Sequence, residues 1–189
     1  MPSSSSASDA ALVAHARAGD ASAFATLVRR HLPAAHAVAR AIVIERADAE
    51  DVCQDVFASL FSRLDECRPA ETFRPWLLRS IRNRAISHTR WRRVRATDTL
   101  GTGPGEQDFP APGESPLGAA ERADLRTRLS AALATLPETH RTVVVLHDVD
   151  GWLHREIAAL LDVPVATSRT LLHTARLRLR AQLTTALSA

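Results

Sequence analysis

The sequence predicts an all-α protein made of two small helical domains joined by a flexible linker, and three observations predict it. Apolar residues recur at three- and four-residue spacing almost throughout, and the Ile and Val clusters are too short to alternate as strands do. The stretch "ATDTLGTGPGEQDFPAPGESPLG", from Ala96 to Gly118, is rich in Gly, Pro, Ser and Thr and lacks periodicity, so it reads as a linker. With 189 residues and 46% hydrophobic content, the chain can build a core on either side of that linker. The expected organisation is a disordered polar tail over 1–9, a first domain over 10–96, a linker over 97–118 and a second domain over 119–189.

A first helix is expected from about Asp9 to Ala18. Gly19 and Asp20 break it, and Asp20 offers an N-cap to "ASAFATLVRRHLPAAHAVARAIV". Pro33 within that segment is a site for a bend or a split. In "DAEDVCQDVFASLFSRL", Asp48 is the expected N-cap, and Glu50 and Asp51 complement the helix dipole. Val52, Cys53, Val56, Phe57, Leu60, Phe61 and Leu64 form one apolar stripe. Glu50, Asp51, Gln54 and Asp55 form a separate acidic face, free for a partner. Cys53 falls on the packed face and reads as a small core residue.

The next segment, "FRPWLLRSIRNRAISHTRWRRVR" over 73–95, holds eight arginines, two of the three tryptophans and no acid. A helix is expected to begin near Pro75. At about 100° per residue, Phe73, Trp76, Leu77, Ile81 and Trp91 gather on one side, and Arg79, Arg82, Arg90 and Arg93 on the opposite arc. The basic arc faces solvent or a ligand. Residues 71–98 carry eight arginines against two acids, so this segment concentrates the positive charge of a chain whose net charge is only +3. Arginine repels arginine, so the compensation is expected from an anion outside the fold.

Beyond the linker, "AAERADLRTRLSAALATL", "PETHRTVVVLHDV", "HREIAALLD" and "PVATSRTLLHTARLRLRAQLTTAL" read as four helices. Thr135 and Glu138 have capping-box spacing, with Pro137 near the helix start. The last two helices, separated by "DVP", have the proportions of a helix-turn-helix.

Several function classes find no support in these residues. No apolar run approaches the roughly 20 residues that cross a bilayer, and the polar start "MPSSSSASD" has no signal-peptide pattern, so a cytoplasmic location is expected. Cys53 and Cys67 are too few for a disulfide framework and lack zinc-site spacing. No Gly-rich phosphate loop with Lys, no HExxH and no nucleophile elbow occurs, and His31 and His36 are poorly spaced for a metal pair. No enzyme and no cofactor is called for.

"GDASAFATLVRRH", "DAEDVCQDVF" and "FRPWLLRSIRNRA", then a linker, then "LPETHRTVVVLHDVDGW" and "REIAALLDVPVATSRTLLHTARLRLR", together resemble bacterial sigma factors of the extracytoplasmic-function group over nearly the whole chain beyond residue 9. The resemblance implies a first domain that binds core RNA polymerase and the promoter −10 element, and a second that binds the −35 element. It places Asp51, Gln54 and Asp55 against the polymerase and Asn83 where a flipped base is captured. Arg79, Arg82, Arg90, Arg92 and Arg93 then steer DNA, and Trp91 is the aromatic candidate for DNA contact. Phe73, Trp76 and Leu77 match family positions that belong to the core. Thr167, Arg169, His173 and Arg176 are the implied −35 contacts. It also implies an anti-sigma partner, and for the linker acids Glu106, Asp108 and Glu114 either nucleic-acid mimicry or a plain tether.

Three departures bear on this expectation. Ser87 stands where relatives commonly place Asp, leaving the arginine cluster less neutralised. Leu153 stands where relatives cap with Ser or Thr, three residues before Glu156, at a cost on the order of 1 kcal/mol. In the recognition helix, Ser168 replaces an apolar residue and Leu171 and Thr174 replace basic ones, so a weakly read −35 element is expected. The rival is a stand-alone helix-turn-helix regulator with an N-terminal interaction bundle, which needs no acidic polymerase-binding face.

Overall fold

The computed structural model describes residues 7–98 and 116–187, without the side chains of 93, 96–98, 116–123, 126 and 185–187. Arg93 as a side chain, and the linker acids Glu106, Asp108 and Glu114, lie outside the described residues. Among the described residues the regular structure is helical, with no strand. The chain divides into two compact units, Met1–Arg95 and Ala96–Ala189.

In the first unit, α1 (Asp9–Arg17) is capped by Ser8, whose hydroxyl accepts from the Ala11 N–H at 3.2 Å. Gly19, at φ +93°, supplies the left-handed residue of the reversal. Asp20 then caps α2 (Ala21–Ile42) as expected, accepting from the N–H groups of Ser22 (2.8 Å) and Ala23 (3.2 Å). Pro33 neither splits nor ends α2. Its ring is exposed, and His31, Ala35, Ala37 and Val38 on the packed face hold the helix together across the missing hydrogen bond.

Helix α3 (Arg46–Arg63) starts two residues before the expected cap. Glu45 takes the N-cap position without a side-chain bond, and Asp48 falls inside the first turn. Two short 3-10 turns, Leu64–Glu66 and Ala70–Thr72, lead into α4 (Phe73–Asp98). That helix also starts two residues early, so Pro75 lies in the first turn, where its missing N–H has no intrahelical acceptor to lose. The Arg17 guanidinium donates to the carbonyls of Leu64 (2.7 Å) and Cys67 (2.6 Å), tying the turn after α3 to α1.

Leu27, Val38, Ile42, Val52, Leu60, Leu64, Phe73, Leu77 and Ile81 form the core, each 2% exposed or less. Cys53 belongs to it, and burial pushes its thiol up to about 11, far from the thiolate range. His31 is buried against the Phe73 ring, with its Nε2 2.8 Å from Asp9, a carboxylate that Arg30 also holds at 2.7 Å. Burial outweighs that carboxylate and lowers the His31 pKa. Phe61, expected in the apolar stripe, is instead 52% exposed and meets Phe24 edge-on, with ring centroids 5.4 Å apart.

The second unit contains α5 (Pro116–Ala134), α6 (Glu138–Val144) running into a π-helical turn at Val145–Val149, α7 (His154–Leu161) and α8 (Val165–Leu187). Val143, Leu146, Ile157 and Ala175 are fully buried among α6, α7 and α8. The expected Thr135–Glu138 capping box is not formed. Such a box needs Leu136 as the first helical residue, and the following proline ring disfavours the helical conformation there. Pro137 takes the N-cap position instead. The Thr135 hydroxyl donates to the Ala132 carbonyl (2.7 Å) and meets the Gln182 side-chain amide (2.7 Å).

Leu153 is the N-cap of α7 and offers no acceptor, yet half of a capping box survives, because the Glu156 carboxylate accepts from the Leu153 N–H at 3.0 Å. Helix α7 ends at Asp162, in the left-handed conformation at φ 58°.

Candidate nucleic-acid interface

Helices α3 and α4 run antiparallel, as three contacts spaced about two turns apart show. Arg63 lies over the Trp76 ring at 5.6 Å, Asp55 accepts from Arg84, and Asp48 accepts from Arg92. Between them opens a polar cleft of about 500 Å³, lined by Asp55, Val56, Ser59, Arg63, Ser80, Asn83, Arg84 and Ser87. Asn83 is exposed in this cleft, so its amide can both donate to and accept from an entering polar group. Ser87, the departure noted above, lies on the same wall. A hydroxyl there repels no anion, whereas a carboxylate would.

The arginines of α4 divide into two sets. Arg79 and Arg90 are exposed and Arg82 is half-buried. Arg92, expected to steer DNA, is ion-paired to Asp48, a carboxylate that also lies 3.9 Å from His88. Trp91 is 53% exposed, and the Arg95 guanidinium sits 4.4 Å from its ring centroid, so one face of the indole is already covered by a cation. Its azimuth matches that of Phe73, but no core lies beneath this end of α4, where none of the described side chains from Ile86 to Arg95 is buried.

On α3, Asp51 and Gln54 are exposed as expected. The face is not wholly free, and this corrects the sequence expectation. Asp55 accepts from Arg84 Nε at 3.0 Å, and Glu50 accepts from Arg46 at 2.9 Å.

In the second unit, Thr167, Arg169 and His173 are exposed on α8, whereas Arg176 donates to Asp148 through two nitrogens, at 2.6 and 3.0 Å. The Arg176 hydrogen bond holds the Asp148 carboxyl below its ordinary range. Ser168 is fully buried and lies 3.0 Å from His154 Nδ1. The His154 ring stacks on His147 with centroids 4.5 Å apart, and His147 Nδ1 is 2.8 Å from the Trp152 carbonyl. A carbonyl only accepts, so that nitrogen carries the proton. Burial, then the neighbouring His147, lowers the His154 pKa. Sequence reading missed Arg84, Asp148 and this histidine pair as parts of the two sites. The out-of-pattern Ser168 was the one signal pointing to the last.

Two helical units, one presenting an arginine-rich helix beside a polar cleft and the other a helix-turn-helix, define a bipartite nucleic-acid-binding protein. Residues 27–95 match the family model for Sigma-70 region 2, and residues 126–179 that for Sigma-70, region 4. The RNA polymerase sigma factor CnrH of Cupriavidus metallidurans is 34% identical over 183 residues, covering 93% of this chain and 94% of that one. The ECF RNA polymerase sigma-E factor of Escherichia coli is 30% identical over 177 residues, covering 89% and 90%.

Among solved structures, CnrH in complex with the cytosolic domain of CnrY aligns with TM-score 0.67 and 30% identity, covering 94% of this chain and 97% of that one. RpoE of Bartonella quintana in complex with the anti-sigma factor NepR aligns with TM-score 0.64 and 25% identity, covering 85% and 96%. The chain belongs to the sigma-70 family of RNA polymerase sigma factors, in its extracytoplasmic-function group, and acts in promoter-specific initiation of transcription with RNA polymerase. The stand-alone regulator reading gives way to it, because the first unit matches a sigma region in its own right.

Proposed function

We propose that the two units divide the work of promoter opening by residue as follows. Asp51, Gln54 and Asp55 on α3 dock on core polymerase. Arg79, Arg82 and Arg90 on α4, with Arg92 and Arg93, attract the backbone of the −10 element. Asn83 receives an unstacked base in the α3–α4 cleft, and Trp91 offers its uncovered face to a neighbouring base, a contact worth roughly 1–3 kcal/mol. Strand separation then draws on binding energy alone, with no catalytic residue and no cofactor. The observation that carries this reading is the position of Asn83, exposed in a polar cleft on the same helix as the exposed arginines.

In the second unit, Thr167, Arg169 and His173 meet the −35 element. Arg176 is committed to Asp148, which supports a weakly read −35 site. We also infer the domain division read from the sequence, with a first domain over 10–96, a linker over 97–118 and a second domain over 119–189, and a cytoplasmic setting. No described helix is long and apolar enough to cross a membrane. An anti-sigma protein is a partner by analogy with the complexes of CnrH and RpoE.

In vitro transcription with core enzyme over a promoter library, with and without residues 119–189, tests this. Product that depends on the chain, and that Arg90→Glu abolishes at the melting step, is expected. Open complexes unaffected by Arg90→Glu and Asn83→Ala together would refute the assignment.

A further inference from the structure

The cleft holds two cations, Arg63 and Arg84, and one carboxylate, Asp55. Arg63 is bound by Glu66, three positions on, through paired contacts of 2.8 and 3.1 Å, and that pair stays within the α3 end. The Arg84 pairing is of another kind. Its partner Asp55 is 29 positions away, on the helix whose exposed face is assigned to the polymerase. Both side chains remain accessible, Arg84 at 46% and Asp55 at 52%. The more buried rung, Asp48 with Arg92, differs, because Asp48 is 20% exposed and also faces His88. An exposed ion pair is worth only about 0–1 kcal/mol, so a competing charge of either sign can exchange with it.

We propose that Arg84 is a further nucleic-acid contact of the cleft, held in reserve by Asp55. On this reading, a cationic group of the docking partner that takes the Asp55 carboxylate transfers the Arg84 guanidinium to the backbone phosphate of a strand entering beside Asn83. The inference rests on the cleft's assignment to the −10 strand and adds a regulatory link to it. A second cation at the Asp55 carboxylate weakens its hold on Arg84, so polymerase docking and strand capture become coupled through Asp55. The released guanidinium is planar and forked, suited to a phosphate in two-point contact.

The full chain, without polymerase, is titrated with a labelled single strand of about ten nucleotides across a range of salt. Asp55→Asn mimics loss of the carboxylate's charge. It is expected to raise affinity about five-fold at 0.1 M salt and to steepen the dependence of log K on log salt by about 0.7, the signature of one added phosphate contact. In an Arg84→Gln background the same substitution is expected to give neither change. A gain of equal size in both backgrounds overturns the proposal, because it then reflects net charge alone, and so does no gain in either. Asn83→Ala, measured beside them for loss of base preference, separates the readings. If it acts while the cycle shows no coupling, the reserve is refuted and the cleft stands; if it too is silent, both fall.

Discussion

Ser168 shows how one side chain departs from periodicity for a local reason. Helical spacing calls for an apolar residue at this buried position of α8, and the hydroxyl is tolerated because His154 gives it a partner at 3.0 Å. Ser168→Ala is expected to destabilise the protein by about 1 kcal/mol, measured by denaturant unfolding. The loss should shrink in a His154→Leu background, where the partner is gone. Phe73 makes the opposite case, a residue whose role is packing alone. It is fully buried, and Phe73→Ala is expected to cost about 3–5 kcal/mol in the same assay. Cys53 is equally a packing residue, and its raised thiol pKa predicts negligible labelling by iodoacetamide in the folded chain at neutral pH.

At the scale of elements, the readable features were those whose cause lies within a few residues. Asp20 caps α2 because its carboxylate reaches the N–H groups two and three residues on, and the stripe from Val52 to Leu64 packs, except at Phe61, because its spacing is helical. The helix-turn-helix was legible from "DVP" between two apolar patterns. What escaped depends on distant partners or on backbone sterics. Asp55 and Arg84 are 29 positions apart and Asp48 and Arg92 are 44 apart, and nothing local marks an aspartate as engaged rather than free. Asp48 therefore reads as a cap but works as a rung between helices. Thr135 reads as a cap, but the proline two residues on delays the start of α6. Removing the deeper rung by Asp48→Ala is expected to loosen the α3–α4 pairing, seen as faster amide hydrogen exchange in the C-terminal half of α4.

For the whole molecule, acid sensitivity follows from the histidines. His31, His140 and His154 each have a folded pKa below the ordinary 6.5, with burial the leading cause. The unfolded chain therefore binds protons first as pH falls. Stability is full above about 6.5 and declines below it toward the folded values. The lowered carboxyls of Glu66 and Asp148 lose their contribution only below their ordinary 4.5 and 3.8, so the interval between pH 6.5 and 4.5 belongs to the histidines. Thermal unfolding at pH 7.5 and 5.5 is expected to show a lower midpoint at the acid value, and His154→Gln should reduce the difference.

The half of α4 beyond Ala85, where no described side chain is buried, has a consequence for evolution. Apart from the Arg92 and His88 positions that meet Asp48, substitutions there leave the core intact, so the exposed residues proposed to meet the promoter can drift at little thermodynamic cost. Paralogues descending from such a chain would diversify first in those outer turns, acquiring new regulons while the scaffold beneath stayed the same.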